Sequence, residues 1–226
     1  MKPEFLGDSK DCFKWDYHDY LTSKLGYSTL NVVLMLTGPG RDNSKHGKTD
    51  PKRFLDSGPV VNFCLDLKKQ PDIQLIRRLP AATGSMYRVE LHKPGMDLTS
   101  RNRTEYFSDI CAEEDHVLFL DPDNGFEPEK SHCEKHVLYS DVETILKQIS
   151  ETTVVSVFQD FRRISFDKDF ARIQARIQER IPSGYATALH WHSLMFVAIA
   201  KKQETIGTVE AINRQYAQSR PVTVLQ

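Results

Sequence analysis

The stretch that most restricts the fold is His116–Phe126, HVLFLDPDNGF. Four apolar residues, Val117–Leu120, run directly into Asp121-Pro122-Asp123-Asn124-Gly125. A continuous apolar run of this length reads as a buried strand, and the Pro/Asp/Asn/Gly cluster stops it abruptly. Two carboxylates and a carboxamide therefore stand at the carboxyl end of a buried strand, where open α/β sheets bind ligands. An Asx-type turn needs one Asp or Asn, and this turn has three.

The rest of the chain alternates between the two kinds of element. Lys10–Leu25 reads as a helix with Phe13, Tyr17, Tyr20, Leu21 and Leu25 near helical spacing, closed by Gly26. Thr29–Leu36 reads as a buried strand that empties into Thr37-Gly38-Pro39-Gly40 and a polar loop. Val60–Leu67 fits a helix or a strand. Ile73–Leu79 and Ser85–Leu91 read as strands. Ser100 is placed to cap a helix reaching Ala112. Ser140 and Glu143 have capping-box spacing at the head of a helix to Ile149. Thr153–Phe158 is the next strand. Phe166, Phe170, Ile173, Ile177 and Ile181 form one stripe of an amphipathic helix. Tyr185–His190 and Leu194–Ala200 read as an antiparallel pair, and Val209–Ala217 as a last short helix. The alternation predicts a single α/β domain over residues 1–226, built on a mostly parallel sheet flanked by helices, with an antiparallel C-terminal strand pair.

Composition narrows the partners. Thirty Lys and Arg against 31 Asp and Glu give a net charge of -1. Nucleic acid would thus need a local basic face, such as Lys45/Lys48/Lys52/Arg53, Arg77/Arg78, Arg101/Arg103 or Arg162/Arg163. Solvated surface charge is the alternative for each. No apolar run approaches the roughly 20 residues of a membrane helix, and the first residues lack the apolar core of a signal peptide. Cys12, Cys64, Cys111 and Cys133 form no C-x-x-C pair, which points to a reducing, cytoplasmic setting. Oligomeric state is not legible.

Several residue sets could carry chemistry. Lys14, Asp16, His18 and Asp19 form a dense polar set on the first helix. Lys14 and His18 are i,i+4 there, and the helix would present them with an Asp to the cleft. The alternative is a solvated face opposite the aromatic stripe. Asp121, Asp123 and Asn124 are catalytic candidates, with Lys14 and His18 assisting. Gln159 and Asp160 end the neighbouring strand. Gly47-Lys48-Thr49 fails as a phosphate loop, because Asp42 stands where G-x-x-x-x-G-K-T needs glycine. His190 and His192 would share a strand face, and His132, Cys133 and His136 cluster, yet neither set completes a zinc site. Asp121 and Asp123 could hold Mg²⁺ or Mn²⁺ through oxygen. A strand ending in D-x-D also resembles the phosphoryl-accepting motif of haloacid-dehalogenase-like phosphatases.

A first strand ending in TGPG, a central strand ending in FLDPDNG and a terminal antiparallel pair together resemble the Rossmann-like class I methyltransferases. The nearest echoes are the large-subunit ribosomal RNA adenine-N6 methyltransferase J family and the three-Cys-motif partner family. In the first of these a Lys/His-bearing helix precedes strand one, where this chain has Lys14-Trp15-Asp16-Tyr17-His18-Asp19. The motifs K-W-D-x-H-D-Y and F-L-D-P-D-N-G also resemble a group of bacterial and phage proteins of unassigned activity. The resemblance implies that Gly38 and Gly40 border S-adenosylmethionine, with Asp16 and Pro122 also counted among the cofactor-side residues. It implies that Asp121 accepts a hydrogen bond from a target amine and that Pro122 shapes the backbone oxygen that does likewise. Asp123 and Asn124 stand where the amino-methylating members carry a second proline and a stacking aromatic. No clear acidic residue ends the second strand to hold a ribose. Three expectations follow: a methyltransferase-like enzyme acting on nucleic acid, a divalent-metal-dependent nuclease or phosphohydrolase, or a non-enzymatic binding protein of phage or defence origin.

Overall fold

The computed structural model describes residues 6–38, 49–110 and 115–225. In chain order the strands are β1 (Thr29–Val33), β2 (Arg88–Leu91), β3 (His116–Leu120), β4 (Gly125–Phe126), β5 (His136–Val137), β6 (Val154–Asp160), β7 (Tyr185–Trp191), β8 (Leu194–Ala200) and β9 (Thr223–Leu225). Seven of them make one sheet in the order β2-β1-β3-β6-β8-β7-β9, while β4 and β5 form a separate parallel ribbon. The pairs β1–β2, β1–β3 and β3–β6 are parallel. β8 runs antiparallel to both neighbours, so β7 points the same way as β6 with one reversed strand between them.

Strand side chains alternate between two apolar layers, as the two-residue period demands. Val117 and Phe119 enter one layer and Leu118 and Leu120 the other. The first layer is covered by α1 (Ser9–Leu25), α2 (Pro59–Lys69), α3 (Leu79–Thr83) and α7 (Gln203–Ala217). The second is covered by α4 (Arg103–Ser108), α5 (Tyr139–Gln148) and α6 (Phe166–Arg180). Phe166, Phe170, Ile173 and Ile177 of α6 are buried as their spacing requires, each worth roughly 1.5–3 kcal/mol relative to exposure.

α1 is unusual in being enclosed on nearly every side, with residues 11–18 all buried. The Asp8 carboxylate caps it by accepting from the Asp11 N–H at 2.9 Å. Gly26, at φ 70°, closes it by donating to the Thr22 and Ser23 carbonyls. An enclosed helix must find internal partners for each polar side chain it carries, and this need shapes the site below.

Several elements differ from the sequence reading. Ile73–Arg78 is a 3-10 helix that continues into α3 rather than a strand. Ile76 and Leu79 are buried three residues apart while Arg77 and Arg78 face outward, and the Asp72 carboxylate caps Gln74 N–H. β1 stops at Val33 instead of Leu36, because Met35 adopts φ 45° and breaks the ladder. α4 begins after Asn102 with no side-chain cap, so Ser100 does not start it. α5 begins at Tyr139, and Asp141 rather than a Ser140–Glu143 pair serves its first turn by accepting from Leu138 N–H. α7 begins at Gln203, six residues before the predicted start. Among the described residues no helix is long and apolar enough to cross a membrane.

β1 lies between β2 and β3. The chain leaves β1 toward β2 and returns on the opposite side as β3, so a topological switch point falls between the β1 and β3 exits.

Candidate functional site

Four chain segments converge on the carboxyl edge of the parallel strands: the start of α1, the β1 exit, the β3 exit and the β6 exit. Asp121 extends the ladder by donating its N–H to Val33 O at 2.9 Å. Its carboxylate is 1% exposed and accepts from Lys14 Nζ at 2.8 Å. Lys14 Nζ also pairs with Asp11 at 3.0 Å. Burial opposes the Lys14 charge, but Asp11 and Asp121 outweigh it and raise the ammonium's pKa. Burial pushes the Asp121 carboxyl up despite Lys14. Burial, with Asp11 adding to it, does the same to Asp8. The sequence placed Lys14 and Asp121 in one site, and the structure joins them directly.

His18 takes a different place from the one predicted. It is fully buried, with its ring 3.9 Å from that of Phe119. Nδ1 lies 2.7 Å from Lys14 O and Nε2 lies 2.9 Å from Ser156 Oγ. A carbonyl only accepts, so Nδ1 carries the proton and Nε2 receives the Ser156 hydroxyl. Burial drives the His18 pKa down to about 3. His18 is thus a neutral bolt between α1 and β6, not a group facing a cleft. Asp16 is likewise committed elsewhere. It accepts from Tyr216 OH at 2.7 Å and from Arg220 at 2.7 and 3.1 Å, tying α1 to α7 and to the chain just beyond it. Asp19 accepts three hydroxyls, from Thr83, Ser85 and Tyr87, each at 2.8 Å.

The open part of the site lies across the switch point. Thr37 Oγ1 donates to Asp123 at 3.0 Å, linking the β1 and β3 exits. Gly38 is exposed, and a Cβ there would sit 3.3 Å from an Asp97 carboxylate oxygen. Asp97 is exposed on the loop after β2, which is held by Leu98 N–H donating to Leu36 O at 2.6 Å. Asp97 is the residue that the sequence reading missed. It stands six positions beyond the end of β2, so no strand-end pattern points to it. Gly40 lies outside the described residues, as do Pro39, Lys45, Lys48 and Cys111.

The loop after β3 is built on close backbone approach. Gly125 has φ 94°, and a Cβ there would fall 2.3 Å from Gln159 Oε1. That same oxygen accepts from Phe126 N–H at 2.9 Å and from Arg162 at 3.0 Å. Gln159 and Asp160 therefore flank the Asp121 loop, as a parallel β3–β6 pair requires. Pro122 is buried, while Asp123 and Asn124 are half-buried. Asn124 Nδ2 approaches His136 Nε2 at 3.4 Å.

The histidine pair of β7 does not form. The strand ends at Trp191, and His192 turns away at φ 52° in the hairpin to β8. Among the described residues no group of three or more His, Cys, Asp or Glu is arranged to hold a metal ion. Asp121 and Asp123 are directed to different partners, Lys14 and Thr37. A recess of about 800 Å³ between α2 and α3 is lined by Phe63, Leu67, Leu75 and Ala81, with Arg78 at its wall, and includes none of the catalytic or cofactor candidates.

Compared with known proteins, the chain matches no family model and no curated sequence.

Proposed function

We propose that this protein is a methyltransferase-like enzyme that takes S-adenosylmethionine at the switch point between β1 and β3 and acts on nucleic acid in the cytoplasm. The observation that carries the reading is the meeting of three strand exits there: Gly38 leaves room beside the exposed Asp97, and Thr37 is tied to Asp123. The reversed strand β8, slotted between β6 and β7, agrees with the terminal antiparallel pair of the class I methyltransferases. The donor set suits the cofactor. The Asp97 carboxylate would accept from ribose hydroxyls, and Gly38 would let the backbone approach.

S-adenosylmethionine would supply an electrophilic methyl group; the protein's part would be mainly placement of the acceptor. Asp121, sealed by Lys14, would fix the loop that carries Asp123 and Asn124 rather than touch the acceptor itself. Titration calorimetry with S-adenosylmethionine and its demethylated product tests the reading. Binding is expected, weakened about tenfold or more by Asp97→Ala and by Gly38→Val. Absence of binding by the folded protein at millimolar ligand would sink it.

One observation favours a second reading. The enclosed Lys14–Asp121 pair leaves Asp121 without access to a target amine, which fits a non-enzymatic binding protein on the same scaffold. Ligand binding without transfer of a labelled methyl group to nucleic acid would favour that reading.

A further inference from the structure

A second cleft of about 450 Å³ opens beside the Asp121 loop, between the β6 exit, the β4–β5 ribbon and α6. Two of the four large apolar side chains exposed among the described residues, Phe161 at 46% and Ile164 at 36%, stand on it. Phe161 is propped edge-on against Phe166, with ring centroids 5.6 Å apart, so it is held while remaining open to solvent. Arg163, between them in sequence, adopts φ 64°. A non-glycine residue pays for that conformation only where its surroundings enforce it.

The polar lining has a definite character. Arg162 is braced from behind by Phe126 O, by Gln159 and, at 3.7 Å, by Asp169. Arg172 reaches Asp169 at 3.0 Å and Glu129 at 3.6 Å while its side chain stays 34% exposed. Asp160 is neutralised by Lys10 at 2.9 Å. Of the side chains that line the cleft, Arg162 and Arg172 are cationic and Asp160 is anionic. Burial lowers the His136 pKa. The cleft combines an open aromatic face, an aliphatic edge, the Asn124 carboxamide and two guanidinium groups, of which Arg172 stays partly open to solvent.

We infer that this cleft seats one nucleotide of a single-stranded nucleic acid, with the base stacked on Phe161 and the phosphate facing Arg172. Stacking on an exposed aromatic ring beside arginine is how single strands are held without sequence preference, and duplex bases present no free face to such a ring. Phe161 supplies, from the neighbouring strand, the aromatic surface that Asn124 does not provide. The inference names the substrate and its place for the enzyme proposed above, and rests on that reading for its purpose.

Fluorescence anisotropy with short labelled single-stranded RNA and DNA, and with the matching duplexes, tests it. Wild-type protein is expected to bind the single strands more tightly than the duplexes. Phe161→Ala should weaken binding at least about tenfold, within the range of one base–aromatic stack. Phe161→Trp should retain it. Arg172→Gln should weaken binding and flatten its salt dependence, whereas Met86→Ala should change nothing. Circular dichroism confirms that each variant is folded. The inference is overturned if the wild-type protein binds no single strand at low salt, if duplex is preferred, or if Phe161→Ala binds as wild type does. Calorimetry with S-adenosylmethionine separates the two proposals. Single-strand binding without cofactor binding would remove the methyltransferase reading alone; the converse would remove the cleft alone.

Discussion

Asp121 and Asp123 are two residues apart on the same loop and have opposite fates. Asp121 is the last residue continuous with the β3 ladder, 1% exposed and clamped by Lys14. Asp123 is half-buried, one step further out, and accepts from the Thr37 hydroxyl at 3.0 Å. The difference teaches where structure stops and ligand chemistry starts: the first carboxylate anchors the strand exit to α1, and the second remains at the rim of the crevice. A buried ion pair is costly to break from one side, because the surviving charge is stranded. A rim hydrogen bond is not.

The largest effect should come from breaking the sealed side. Lys14→Ala is expected to cost about 3–5 kcal/mol, a fall of roughly 10 °C in melting temperature for a chain of this size. Replacing both partners, as Lys14→Met with Asp121→Leu, should cost less than the sum of the single changes. Strict additivity in chemical denaturation would show that the pair is not coupled. Next in size is Gly125→Ala, which combines a strained φ with a clash against Gln159 and should cost about 1–3 kcal/mol in the same assay.

His18 sharpens the comparison through pH. Its folded pKa, about 3, lies below its unfolded value near 6.5. The unfolded chain therefore takes up a proton first as pH falls. The stability due to the neutral ring is fully present above about pH 6.5 and is lost toward pH 3, at up to about 1.4 kcal/mol per pH unit. His18→Asn should flatten the stability profile across that window by close to one proton; parallel profiles would show that the buried ring is not neutral. The smallest effect should come from the open side. Thr37→Val should change stability by less than about 1 kcal/mol while weakening S-adenosylmethionine binding. A large stability loss in this variant would erase the distinction between the two strand-exit contacts.

Much of this architecture was written locally in the chain. The apolar run before Asp121, the stripe on α6 and the glycine after α1 each follow short-range periodicities, and all three elements form where those periods place them. The nearness of Lys14 to Asp121 was also legible, since the helix precedes a strand whose neighbour ends in the acidic loop. Burial within the motif was not legible. Which of two nearby carboxylates is enclosed depends on Lys14, 107 residues away. His18 read as a reactive group because its partner Ser156 lies 138 residues off. Ile73–Leu79 read as a strand because short apolar runs fit both periods, and only packing of Ile76 and Leu79 chooses the helical one. Asp97 escaped notice because a loop, not a strand end, delivers it to Gly38.

The attachments of α1 to α7 and to Arg220 carry a consequence for biosynthesis. Tyr17 meets Asn213 across 196 positions, and Asp16 meets Arg220 across 204. During translation this helix would leave the ribosome with its aromatic side chains and carboxylates unmatched, and would wait for the 196 residues that follow Tyr17 up to Asn213 before docking. Such long-range closure slows folding and prolongs exposure of sticky surface. Nascent chains halted before residue 213 should therefore be the ones that chaperones hold.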